Sequence, residues 1–90
     1  MNFEWDEKKN RQNIHEHGFD FNDAWEVFGG LAFPQLDLRT NYGEDRWTVF
    51  GFLGARVVAV TFTMRGQETI RIISMRKASK HERKKFEEEV

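Results

Sequence analysis

Apolar and polar positions divide the chain into eight segments of regular structure. Asn2 to Trp5 alternates, with Phe3 and Trp5 on one side, which is the period of a short strand. Asp6 then reads as a helix N-cap. Glu7 to His17 contains neither Gly nor Pro, and Gly18 stands where a left-handed residue ends a helix. This helix is polar nearly all round: Lys9, Asn13 and His17 follow one another at steps of four, with Asn10 beside them. Asp20 can cap a second helix, in which Phe21, Ala24, Trp25 and Phe28 recur at i, i+3, i+4 and i+7 until Gly29-Gly30 stops it.

The middle of the chain changes period. Leu31 to Leu38 reads as a strand that Pro34, lacking a donor, confines to a sheet edge or breaks at a bulge. Asn41 to Asp45 is a loop. Arg46 to Leu53 and Arg56 to Met64 are strands rich in Val, Phe, Trp and Thr, joined at Gly54-Ala55 by a tight hairpin. Arg65-Gly66-Gln67 turns the chain into Glu68 to Met75, where Ile70 and Ile72 share one face and Arg71, Ile73 and Met75 share the other. Ser79 and Glu82 form a capping box for a charged helix, His81 to Glu89, whose apolar anchor is Phe86. The order predicts an α+β fold, with an antiparallel sheet on which the N-terminal helices and a C-terminal helix pack. Residues 1–90 are long enough for one domain with one core.

Composition sharpens this picture in three places. Nine Phe, three Trp and one Tyr supply core material in a chain that is 32% charged, so it is expected to fold. Cysteine is absent, which excludes disulfide scaffolds, zinc ribbons, thiol nucleophiles and iron–sulfur clusters. The longest apolar run is Val57 to Val60, and Glu4, Asp6 and Glu7 stand where a signal peptide needs positive charge; the expectation is a cytoplasmic protein with no membrane span.

Charge is segregated along the chain. Residues 1–64 hold six Lys/Arg and ten Asp/Glu, whereas residues 65–85 hold eight and two, although the whole nets only −1. The basic stretch comprises Arg65, Arg71, Arg76, Lys77, Lys80, Arg83, Lys84 and Lys85, and its guanidiniums offer planar donor forks to phosphate oxygens. The same charges can instead pair with Glu82 and Glu87 to Glu89 on a solvated helix. A second candidate is the face of Lys9, Asn13 and His17: neutral imidazole can take a proton from a ribose 2′-hydroxyl while an ammonium offsets charge on the attacked phosphate. Its plain alternative is that His17 complements the helix end and Asn13 bonds a neighbouring loop. Metal and cofactor readings lack support. His15 and His17 lie roughly 200° apart around a helix, no carboxylate loop has ligand spacing, and no nucleotide-binding glycine motif occurs. Of the aromatics, Trp25, Phe28, Trp47, Phe50, Phe52 and Phe62 are assigned mostly to the core, and Tyr42 and Phe33 are the better candidates for stacking on bases.

The sequence resembles the BrnT toxins of bacterial type II toxin–antitoxin pairs. The resemblance is carried by Trp5-Asp6-Glu7-x-Lys9-x-x-x-Asn13-x-x-x-His17-Gly18-x-x-Phe21, by Ala24 and Val27-Phe28, by Glu44-Asp45-Arg46 with Gly51, and by Arg71-Ile72-Ile73-Ser74-x-Arg76-Lys77-Ala78 with Glu82-Arg83. It implies a RelE-like fold and a metal-independent ribonuclease that halts translation. It also implies neutralisation by a BrnA-type ribbon-helix-helix antitoxin, with promoter DNA bound only through the complex. The motif positions fall on Asp6, Lys9, Asn13, His17, Glu44, Arg46, Arg71, Ser74, Arg76, Glu82 and Arg83, with Arg65 where the family often has arginine. Departures are Glu16, Met75, Ser79 and Phe86, where the family favours lysine, alanine, threonine and tyrosine; Phe86 lacks the phenol that could donate a proton.

The resulting assignment gives Lys9, His17, Arg65, Arg71 and Arg76 to catalysis, and Asn13, Glu44, Arg46, Ser74, Lys77, Lys80, Glu82 and Arg83 to substrate binding. Two other readings use the same charges: a non-catalytic seat for an acidic protein partner, and direct binding of DNA. The last is weaker, since no helix-turn-helix signature is present.

Overall fold

A computed structural model describes residues 1–30, 32–37 and 43–89. The elements are β1 (Asn2–Glu4), α1 (Glu7–His17), a 3-10 turn (Phe21–Asp23), α2 (Ala24–Gly29), β2 (Phe33–Asp37), β3 (Arg46–Leu53), β4 (Arg56–Arg65), β5 (Thr69–Lys77) and α3 (Lys80–Glu89). The ends of the expected second strand at Leu31 and Leu38, and both stacking candidates, Tyr42 and the side chain of Phe33, lie outside the described residues.

Local chemistry accounts for the helix ends. The Asp6 carboxylate accepts from the backbone N–H groups of Lys8 (2.9 Å) and Lys9 (3.3 Å), and Gly18 closes α1 at φ 77°, a conformation costly for residues with a Cβ. These bonds, that from Lys9 first, hold the Asp6 carboxyl below its ordinary pKa. Asp20 caps the 3-10 turn rather than an α-helix, and α2 begins only at Ala24. That offset changes which residues are buried: Val27 is fully enclosed, whereas Trp25, expected in the apolar stripe, is 60% exposed.

The five strands form one sheet in the order β1-β5-β4-β3-β2. It is mixed, not antiparallel as expected. From β2 to β5 the strands meander antiparallel, but β1 joins β5 in parallel through Asn2↔Thr69, Phe3↔Ile70 and Glu4↔Arg71. The physical reason is the connection: between β1 and β2 the chain runs through α1 and α2, long enough to enter the sheet in either direction, whereas tight turns force antiparallel neighbours. Pro34 sits in the edge strand β2, where a missing donor costs no ladder bond.

The helices α1 and α2 cover one face. Beneath them Val49, Val58, Val60, Phe62, Ile70 and Ile72 join Phe21, Ala24 and Val27 in the main core. Two asparagines tie α1 down. Asn10 donates to Asp20 (3.0 Å) and accepts from the Phe21 N–H (2.8 Å), while Asn13 donates to the Phe19 carbonyl (2.9 Å) and accepts from the Met75 N–H (3.2 Å).

β5 departs from simple alternation. Phe62 pairs with Ile72 but Thr61 pairs with Ser74, so Ile73 is the extra residue of a bulge. Met75, expected beside Arg71, is thereby moved to the core face and is fully buried. At one end of the other face α3 packs through Phe86 onto Val57, Ala78 and Phe50, with Phe52 edge-on at 5.2 Å.

Candidate nucleic-acid interface

The face of the sheet that α1 and α2 leave uncovered is built in cross-strand rows, because paired residues of antiparallel strands share a side. Gln35, Thr48, Thr61 and Ser74 form one row across β2, β3, β4 and β5. The hydroxyls of Thr48 and Thr61 meet at 3.4 Å. On the α3 side of this row Phe50, Ala59 and Arg76 pair in register; on the other side Thr63 pairs with Arg71, and Arg71 with Glu4. The bulge at Ile73 is what makes this possible. In an unbroken strand Arg71 and Arg76, five positions apart, would face opposite sides; one extra residue brings Arg71, Ser74 and Arg76 to the same side.

Each guanidinium on this face has a carboxylate beside it. Arg76 grips Glu82 with both terminal nitrogens, at 2.7 and 3.0 Å. Glu82 also accepts from the Ser79 N–H (2.8 Å), and the Ser79 hydroxyl accepts from the Glu82 N–H (3.1 Å), so the expected capping box is present and joined to the arginine. The bond from Arg76, with the Ser79 N–H assisting against partial burial, lowers the Glu82 carboxyl to about 2. Arg71 pairs with Glu4. At the opposite end Glu44 bridges Arg46 and Arg65, each at 3.6 Å. A guanidinium carries five donors, so a partner on one side fixes its plane while others remain for a phosphate.

Lys9, Asn13 and His17 lie elsewhere. They line a cleft between α1 and β5 together with Gln12, Glu16, Ile73 and Ser74. His17 is 3.8 Å from the Glu16 carboxylate. Among the described residues no hydrogen bond or ion pair joins Lys9 or His17 to the arginines of the open face. Ser74 belongs to both surfaces, lining the cleft and pairing with Thr61. Asn13 is buried with both ends of its amide engaged inside the protein. Lys77, Lys80 and Arg83 are exposed at the junction of β5 and α3. Among the described residues no group of three or more His, Asp or Glu is placed to hold a metal ion, and no helix is long and apolar enough to cross a membrane.

Sequence reasoning missed Glu4, Gln35, Thr48 and Thr61. The threonines carried a signal, since each interrupts a strand of apolar residues on the side away from Val49, Val58 and Val60. Glu4 carried only half of one: its side of β1 was legible, its partner Arg71 was not.

A family model described as "Ribonuclease toxin, BrnT, of type II toxin-antitoxin system" matches residues 5–82. The crystal structure of the ribonuclease toxin BrnT of Brucella abortus is similar over 89% of this chain and 99% of that one, with a TM-score of 0.69 and 36% sequence identity. No curated protein matches. The fold and the match together define a ribonuclease toxin of a type II toxin–antitoxin system. Within that class the chain belongs to the BrnT family.

Proposed function

We propose that the protein is a metal-independent endoribonuclease that halts translation by cutting RNA, with the substrate backbone lying on the open face and crossing β5 at Ser74. The observation that carries this reading is the bulge, which aligns Arg71, Ser74 and Arg76 on one side of the sheet, with Lys77, Lys80 and Arg83 exposed where β5 passes into α3. Arg71 and Arg76 stabilise charge on the non-bridging oxygens as the 2′-hydroxyl oxygen bonds to phosphorus and the bond to the 5′ oxygen breaks. The hydroxyl proton passes to neutral His17, and the Lys9 ammonium supplies one to the leaving oxygen, both from the cleft that shares Ser74. Glu4 and Glu82 hold the guanidinium planes, and Glu44 holds Arg46 and Arg65 at the far end of the same face. Asn13 leaves the substrate-binding set, because its amide is spent on Phe19 and Met75. The RelE-like kinship of the fold, cytoplasmic action, a BrnA-type ribbon-helix-helix antitoxin and promoter binding through that complex belong to the same reading.

The test is cleavage of a mixed-sequence single-stranded RNA in excess EDTA, beside Arg76→Ala and Arg71→Ala preparations checked for folding. Each variant is expected to lose on the order of 100- to 1,000-fold in rate. Losses below about threefold for both would overturn the assignment, and cleavage that EDTA abolishes would overturn the metal-free chemistry.

A further inference from the structure

Next to Arg76 lies a depression that the cleavage chemistry does not use. It is lined by Gln35, Leu36 and Asp37 of β2, Thr48 and Phe50 of β3, and Arg76 with its partner Glu82. Two carboxylates in one small wall oppose a second phosphate there, since like charges at short range repel. What the wall offers instead is a half-buried ring, a planar cation, an amide, a hydroxyl and a carboxylate: two flat surfaces and several directional hydrogen-bonding groups. That inventory fits a flat heterocycle. The Arg76 guanidinium is gripped edge-on by Glu82, which leaves its faces for stacking, and Phe50 adds apolar surface.

Asp37 decides which heterocycle. An ionised carboxylate only accepts hydrogen bonds, and two of its oxygens fit two adjacent N–H donors. Guanine carries such a pair on its pairing edge; adenine, cytosine and uracil each offer a single donor position there. Asp37 faces Arg46 in the register of β2 and β3, and about four acceptor positions on a carboxylate allow it to serve that neighbour and a base together. Gln35 and Thr48, adjacent in the polar row, supply groups for the remaining edge.

We infer that this depression is a nucleobase subsite that prefers guanine, adjoining the phosphate held at Arg76. The inference rests on the ribonuclease reading of the open face and adds to it the part of the substrate that is read.

Binding and cleavage are separated by using labelled 2′-O-methyl pentanucleotides, in which the attacking hydroxyl is blocked: UUGUU, UUAUU, UUCUU and UUUUU, titrated by fluorescence anisotropy at low salt. The parent protein is expected to bind UUGUU at least about fivefold tighter than the other three, the lower end of what a bidentate base contact discriminates. Asp37→Asn is expected to bring UUGUU to the level of the others without weakening them. Gln35→Ala, expected to reduce the preference by at least half, serves as the second variant if Asp37→Asn does not fold. Arg76→Ala is expected to weaken all four. Equal binding of the four by the parent, or a preference that survives both β2 variants, overturns the subsite; if Arg76→Ala still weakens all four, the phosphate site stands. Binding of none, or binding indifferent to Arg76, overturns both.

Discussion

At the scale of single residues, Glu82 does two jobs with one carboxylate: it closes the capping box of α3 and it fixes Arg76. Its pKa is lowered to about 2, first by Arg76, so it binds a proton less readily in the folded protein than in the unfolded chain. The stability it contributes is therefore complete above about pH 4.5 and is lost as the pH falls toward 2. Glu82→Gln is expected to lower stability by on the order of 1–2 kcal/mol at pH 7. In urea titrations at several pH values the gap between parent and variant should close across the interval between pH 4.5 and 2; a gap that stays constant through that interval would show that charge on Glu82 is not its source. The capping box was legible in the sequence because both partners lie within one helical turn. The grip on Arg76 was not, since nothing local states which residue a carboxylate meets across a turn. Asn13 shows the same limit from the other side: its helical spacing from Lys9 and His17 suggested a shared surface, but a residue at that spacing can point inward, and this one does.

At the scale of elements, the informative failure of alternation is β5. Strand positions, the edge placement of Pro34 and the hairpin at Gly54-Ala55 all followed from composition and period, because those signals depend on near neighbours. A bulge depends on what the partner strand requires, and a sequence that reads Ile-Arg-Ile-Ile-Ser-Met-Arg is compatible with either register. Burial decides it: only the bulged form puts Ile70, Ile72 and Met75 together in the core and leaves Arg71 and Arg76 outside. Deleting Ile73 makes Ile72 and Ser74 consecutive opposite the consecutive Phe62 and Thr61, so an unbroken ladder keeps Ile70, Ile72 and Met75 inward and Arg71, Ser74 and Arg76 outward. The expected outcome is a deletion variant that retains a cooperative thermal transition in circular dichroism. A deletion variant that loses the transition would show that the facing of Ile70, Ile72 and Met75 is not what specifies this strand. The parallel pairing of β1 was equally hidden, since a three-residue strand carries no mark of direction.

At the scale of the whole molecule, the segregation of charge along the chain becomes a segregation in space, with residues 65–85 contributing β5, the turn before it and the start of α3. If the basic surface meets an RNA backbone, log affinity should fall with log salt by about 0.7 for each phosphate neutralised, and Arg76→Ala should make that slope shallower by about one phosphate's worth. An unchanged slope would place the binding charge elsewhere. The pairing of β1 with β5 has a further consequence in time. Glu4 belongs to the earliest of the strands and Arg71 and Arg76 to the last, so the open face of the sheet has neither β5 nor these two arginines while residues 1–64 are emerging. A toxin that cuts RNA is made on a ribosome bound to RNA; if the open face receives that RNA, this order of assembly keeps the nascent chain harmless to its own message until β5 has been made.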